Sequence, residues 1–142
     1  MPNLKPAVTQ VASAEQYRSR ILKALPPGSS FNPLMTLYLT QNMVKKDLQQ
    51  LKNSEHVVAV KYYPAGATTH SDAGVTDLTR VYDTLSAMEK IGLPLLIHGE
   101  VTEPSVDVFD REHVFIETIL AAVYKENVSN KFAVTNVNKF NA

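Results

Sequence analysis

The chain has no cysteine among its 142 residues. That absence excludes a disulfide framework and any thiolate zinc site, and it fits a reducing compartment. No net charge is present either, because lysine plus arginine and aspartate plus glutamate number 14 each. A chain without a net field offers no electrostatic case for nucleic acid or an acidic membrane as partner. No apolar run approaches the roughly 20 residues that span a bilayer. The opening Met1-Pro2-Asn3-Leu4-Lys5-Pro6 lacks the apolar core of a signal peptide. These absences set the expectation of a cytoplasmic protein with no nucleic-acid or membrane partner. What is present is ordinary for a globular domain: 44% hydrophobic and 20% charged residues.

Apolar patterning then divides the chain. Ser13 to Ala24 reads as a helix, with Ser13 as cap and Tyr17, Ile21 and Leu22 facing a core. Pro26-Pro27-Gly28 ends it, and Phe31 to Leu39 reads as a strand. Val44 to Lys52 is a short polar helix with Val44, Leu48 and Leu51 at helical spacing. Val57 to Tyr63 is a β-branched and aromatic strand. Pro64 to Val75 has no apolar periodicity and reads as a long loop, a class of segment that often carries function. Thr76 or Asp77 caps a helix to Lys90, and Gly92 stops it. Leu93 to His98 is apolar on both faces, as a buried parallel strand requires. Gly99 to Asp107 is a loop, Phe109 to Lys125 a helix with Phe109, Val114, Phe115 and Ile119 inward, and Lys131 to Val137 a fourth strand.

Alternation of strand, loop and helix predicts parallel α/β architecture. A doubly wound sheet usually brings a glycine-rich phosphate turn after its first strand, and none is found. A barrel places its chemistry at the C-terminal ends of strands. Asn3, Thr40, Lys61 and His98 fall at such ends. A whole (β/α)8 barrel takes about 250 residues, so this chain supplies about half of one.

Lys61 ends a run of four apolar residues. One reading is a strand-end lysine that extends to solvent. The other uses burial, which lowers the pKa of an amine and makes it a nucleophile toward carbon dioxide. The resulting carbamate is an anion able to bridge two metals. His98 is either structural or a ligand, and Gly99 permits a tight turn beside it. Glu100 either orients a neighbouring group or is solvated. Asn3 offers an amide to a substrate or shapes a turn. Thr68 and Thr69 either donate hydroxyls to a substrate or lie in a solvated loop. Asp110 and Glu112 suit a helix N-terminus on dipole grounds alone. His56, His70 and His113 have no apparent partners, and exposure is the default for each.

The segments Met1-Pro2-Asn3-Leu4-Lys5-Pro6, Lys61-Tyr62-Tyr63-Pro64-Ala65-Gly66-Ala67-Thr68-Thr69, Pro94-Leu95-Leu96-Ile97-His98-Gly99-Glu100-Val101 and Val108-Phe109-Asp110-Arg111-Glu112 occur in this order. Together they resemble the dihydroorotase family, of the compact bacterial, fungal or plant type, from Met1 to about Phe132. The resemblance implies part of a (β/α)8 amidohydrolase barrel. It implies reversible cyclisation of N-carbamoyl-L-aspartate to (S)-dihydroorotate in pyrimidine biosynthesis, with two zinc ions (Zn2+) per site. In that light Lys61 is the carbamylated bridge and His98 a ligand of the second zinc close to substrate. Asn3 contacts the substrate carboxylate, and Thr68 and Thr69 ride on a loop that closes over it. A homodimer is one assembly open to such a chain.

The departures from the family pattern are equally specific. The His-x-His strand end of the first zinc and the arginine after it would precede Met1. Asn136 stands where a second-zinc histidine is expected. The later aspartate, both ligand and general base, has no counterpart, so no catalytic residue is assigned. The expectation is a single partial barrel domain over 1–142, truncated at both ends, with about 133–142 a divergent tail. Its two retained ligand positions imply poor zinc binding and little turnover. A catalytically inactive dihydroorotase-like fragment, or a binding partner of a complete enzyme, is the alternative. A hydantoinase-like amidohydrolase fits the Lys-Tyr-Tyr-Pro-Ala and His-Gly-Glu-Val contexts less well.

Overall fold

The structure is a computed structural model that describes residues 2–125 and 132–135. Four strands form one sheet: β1 (Met35–Tyr38), β2 (Val57–Tyr62), β3 (Leu95–His98) and β4 (Phe132–Thr135). All pairings are parallel, and the spatial order is the chain order, β1-β2-β3-β4. A doubly wound sheet reverses direction at a switch point. No reversal occurs here, so the sheet is an arc of a barrel.

Helices cover one face of that arc: α1 (Val11–Ala24), α2 (Lys45–Lys52) and α3 (Tyr82–Lys90). Between sheet and helices lies the core, in which Leu37, Val60, Leu95 and Ile97 meet Leu48, Leu51, Leu85 and Met88. The opposite face holds Tyr38, Lys61, Tyr63 and His98. Register explains this division. Tyr38 pairs with Lys61, and Lys61 with Leu96. Neighbours in register share a face, and alternation along a strand brings Tyr63 and His98 onto it too.

Helix starts follow local chemistry. Asp77 is the cap, its carboxylate accepting from the Thr79 backbone N–H at 2.9 Å, and a 3-10 turn over Leu78–Val81 leads into α3. Asp47 accepts from the backbone N–H of Val44 at 3.0 Å and closes the first turn of α2. Helix α1 starts two residues ahead of the expected cap: Gln10 is at the boundary and Ser13 lies inside the first turn. The first strand is shorter than its apolar run, because Phe31 and Leu34 are exposed and only Met35–Tyr38 join the ladder. Gly92, at φ +70°, reverses the chain after α3.

The last helical stretch has a break in it. Helix α4 (Arg111–Phe115) continues through a π-turn at Ile116–Leu120 into α5 (Ala121–Lys125). The Thr118 hydroxyl donates to the Val114 carbonyl within it, at 2.6 Å. Phe115 and Val123 are buried, whereas Phe109, expected inward, precedes the helix and is 91% exposed. Of the expected fourth strand, Phe132–Thr135 pairs with β3, with Thr135 beside His98. Residues 131 and 136–142, Asn136 among them, lie outside the described residues.

Leu85 has no exposed surface. Leu85→Ala is expected to cost about 2–5 kcal/mol in urea unfolding, as for other large-to-small core changes. Leu34→Ala, at a residue 61% exposed, is expected to change stability by less than about 1 kcal/mol.

Candidate functional site

Lys61 and His98 stand on adjacent strands, on the face away from the helices, and both are buried, at 6% and 9% exposure. Tyr63 joins them. Its ring centroid is 5.0 Å from Lys61 Nζ and 5.6 Å from the imidazole of His98. Tyr38 meets the other side of Tyr63 edge-on, at 5.5 Å and 85°. Three strands thus contribute one contiguous aromatic platform with an amine and an imidazole set in it.

Burial governs the electrostatics. It lowers the Lys61 amine from its ordinary 10.5 to about 8, although the ring face of Tyr63 offers the charged form some attraction. Lys61 therefore does not extend to solvent, and the neutral amine is accessible near neutral pH. Burial, then the charges of Tyr63 and Asp72, push the Tyr38 hydroxyl up to about 12. Burial likewise raises Tyr63. His98 Nε2 lies 3.3 Å from Glu100 Oε1. Glu100 thus does more than meet solvent.

The loop from Pro64 to Val75 rises from the end of β2 and returns beside it, its ends joined by a bridge between Pro64 and Val75. Ser71, almost fully buried, donates from Oγ to the Thr68 carbonyl at 2.6 Å and accepts from the Thr68 N–H at 3.0 Å. Thr68 and Thr69 therefore belong to a braced turn. The Asn3 side chain donates to the Thr69 carbonyl at 2.9 Å, which links the N-terminal segment to the loop. Gly74 makes the return possible: a Cβ there would lie 2.5 Å from the Tyr63 carbonyl oxygen, 2.9 Å from that of Ser71 and 3.0 Å from Tyr38 Oη.

All five sequence-derived candidates are located, in two groups. Lys61 and His98 share the platform, while Asn3, Thr68 and Thr69 are joined through the loop. Thr40 falls instead on an open groove of about 600 Å³ shared with Gln41, Asp72 and Thr76. His56 is partly buried rather than exposed, and His113 pairs with Glu117 at 3.2 Å rather than standing alone. His70 is exposed, at φ +57°. Tyr38, Tyr63 and Gly74 were not expected. Tyr63 had a signal, two residues beyond Lys61 and so on its face of the strand; Tyr38 and Gly74 depend on register and loop path.

Among the described residues, no group of three or more histidine, cysteine, aspartate or glutamate side chains is placed to hold a metal ion. A zinc site takes at least three protein ligands. Lys61, His98 and their neighbours do not by themselves fit a complete one.

No protein-family model matches the chain. A dihydroorotase of Cupriavidus necator is 59% identical over 126 residues, which are 89% of this chain and 37% of that protein. A dihydroorotase of Microcystis aeruginosa is 62% identical over 117 residues, 82% of this chain and 34% of the relative. This chain is similar to dihydroorotases over most of its own length. A crystal structure of dihydroorotase from Campylobacter jejuni superposes with a TM-score of 0.79 at 36% identity, covering 93% of this chain and 37% of that one. Dihydroorotase from Saccharomyces cerevisiae, solved in complex with 5-fluoroorotic acid, gives 0.76 at 30% identity, with the same coverage. The chain thus spans just over a third of the length of the dihydroorotases it matches, and its sheet corresponds to part of their barrel.

Two outcomes follow. Gly74→Ala forces backbone apart and is expected to cost about 1–3 kcal/mol in urea unfolding. For Lys61, the folded chain releases its proton near pH 8 and the unfolded chain near 10.5. Between these values the unfolded state holds more protons, so this residue's contribution to stability rises with pH; below 8 its penalty is constant and full. Lys61→Met is therefore expected to exceed the unsubstituted chain in stability at pH 7, with the difference shrinking from pH 8 to 10.5 in unfolding measured at stepped pH.

Proposed function

We propose that this chain carries part of a dihydroorotase site, the part that meets N-carbamoyl-L-aspartate and dihydroorotate from the Lys61–His98 side. The observation that carries the reading is the burial of Lys61 and His98 on one face at adjacent strand ends, in a chain 59% identical to a dihydroorotase over 126 residues. In this reading Lys61, as a carbamate, and His98 would be metal ligands of a two-zinc site. Asn3, Thr68 and Thr69 bind the substrate. Zinc, if held there, would supply Lewis-acid chemistry toward a water and an amide carbonyl.

What the chain's own residues do is narrower. Burial lets the Lys61 amine lose its proton near neutral pH, so that carbon dioxide meets a nucleophile: the nitrogen lone pair forms the new N–C bond as one C=O π pair moves onto oxygen, and a nitrogen proton is released. Glu100 orients His98. The braced Thr68–Ser71 turn presents Thr68 and Thr69 as one unit, and Asn3 ties that unit to the first segment. We take 1–142 as one partial amidohydrolase barrel domain with a divergent stretch from about 133, cytoplasmic, with a homodimer as a possible assembly. Net neutrality supports a small-molecule partner over nucleic acid. The lack, among the described residues, of a group of three metal-ligating side chains favours a second reading, a catalytically inactive dihydroorotase-like chain that pairs with a complete enzyme.

A chimera separates these readings. The matching segment of the Cupriavidus necator enzyme is replaced by this chain's residues, and dihydroorotate hydrolysis is assayed with zinc and bicarbonate. The chimera is expected to turn over, and Lys61→Ala or His98→Ala within it to lose more than about a hundredfold. A Lys61→Ala chimera as active as its parent would sink the assignment. The unfused chain is expected to show no turnover above background.

A further inference from the structure

A cavity of about 130 Å³ lies between the loop after β2, the loop after β3 and the π-turn of the last helical stretch. Its walls divide by chemistry. Val75, Val101 and Ile119 form an apolar side, and Tyr62, Glu100 and Glu103 bring polar groups to it. Tyr62 is on the helix side of β2, because its neighbours Lys61 and Tyr63 take the opposite face. It is 3% exposed and packs on Phe115, with ring centroids 6.3 Å apart. Its hydroxyl makes no hydrogen bond among the described residues. A buried position that needed only volume would suit phenylalanine better, since an unbonded hydroxyl is costly there.

The carboxylates of the cavity are also under-used. Glu103 makes no side-chain hydrogen bond or ion pair among the described residues. Glu100 meets His98 Nε2 through Oε1, at 3.3 Å, which leaves Oε2 for another donor. No lysine, arginine or histidine is among the lining residues. Burial, then the charge of Glu103, raise the Tyr62 hydroxyl above its ordinary value, so the phenol stays neutral and its oxygen can accept. Three acceptors beside an apolar wall describe one class of guest. An anion would be repelled. A metal ion is a poor match, because among the described residues no group of three histidine, cysteine, aspartate or glutamate side chains is placed to hold one. A primary ammonium carries three N–H donors on one head, and a short alkyl tail would cover the apolar wall.

We propose that this cavity binds a free short-chain alkylammonium ion, its head shared by the Tyr62 hydroxyl and the Glu100 and Glu103 carboxylates and its tail against Val75, Val101 and Ile119. Binding there needs neither zinc nor a carbamate on Lys61. The cavity is nonetheless joined to the platform, because Glu100 borders both it and His98. A bound ammonium competes with the imidazole for that carboxylate, so occupancy is felt at His98.

Titration of the whole isotope-labelled chain with n-butylammonium chloride, followed by amide NMR, tests the site. Saturable shifts are expected at Val75, Val101 and Glu103 and in the His98 ring, but not in β1, and matched sodium chloride is expected to produce none. The uncharged n-pentanol is expected to bind at least about tenfold more weakly. Tyr62→Phe is expected to weaken butylammonium binding about tenfold, and Glu103→Gln, at an exposed carboxylate, about threefold. Absence of saturable shifts would overturn the proposal, as would equal affinity for n-pentanol or undiminished affinity in both variants. Calcium chloride giving the same shifts at lower concentration would replace the ammonium by a metal ion and so refute it. N-acetyl-lysine amide bears the same head as a protein side chain would; it is expected to bind more weakly than butylammonium, and tighter binding would refute a free ion as the guest. If Tyr62→Phe fails to fold, Glu103→Gln decides alone: affinity equal to that of the unsubstituted chain refutes the site.

Discussion

Strand register is the constraint on which everything else depends. Tyr38 faces Lys61 across β1 and β2, and Lys61 faces Leu96 across β2 and β3. A slip of one residue in either pairing would turn the lysine toward the helices, where Leu37, Val60 and Leu95 now pack. The apolar layer therefore does two jobs. It holds the sheet to the helices, and it fixes which side chains are left to the opposite face. Lys61 is buried because of where its neighbours must go.

Burial then supplies the chemistry that the residue types alone do not. An exposed lysine is a cation at neutral pH; this one, lowered to about 8, is not wholly so. A histidine in solution exchanges tautomers, whereas His98 has a carboxylate at 3.3 Å from one nitrogen. Both effects come from packing that was settled by the hydrophobic pattern. The relation to dihydroorotases gives these properties a context, but the amine and imidazole would have them in any protein with this register.

Much of the arrangement was legible from the residues. Strand ends at Lys61 and His98, the loop after Tyr63 and the Asp77 cap follow from apolar runs and turn chemistry, because these are local signals. What was not legible is non-local. Nothing in the run Phe31 to Leu39 says that pairing begins only at Met35, since that depends on where β2 lies. Phe109 looked like a core residue by type, yet the helix starts after it. Tyr38 and Gly74 meet across 36 positions of chain, a contact that only the loop's return path creates. The sequence motifs singled out Asn3 and Thr69; they did not show that the two would be joined by a hydrogen bond.

The π-turn at Ile116–Leu120 has a geometric consequence. Phe115 and Val123 are both buried and are eight positions apart. On a regular α-helix, eight steps of about 100° leave two residues about 80° out of line. A π-turn absorbs one extra residue, so the pair behaves as though seven apart and falls within about 20° of a common line. The wider turn acts as an angular correction: it lets one continuous helical stretch keep a single apolar seam, where an unbroken α-helix would have rotated Val123 away from Phe115.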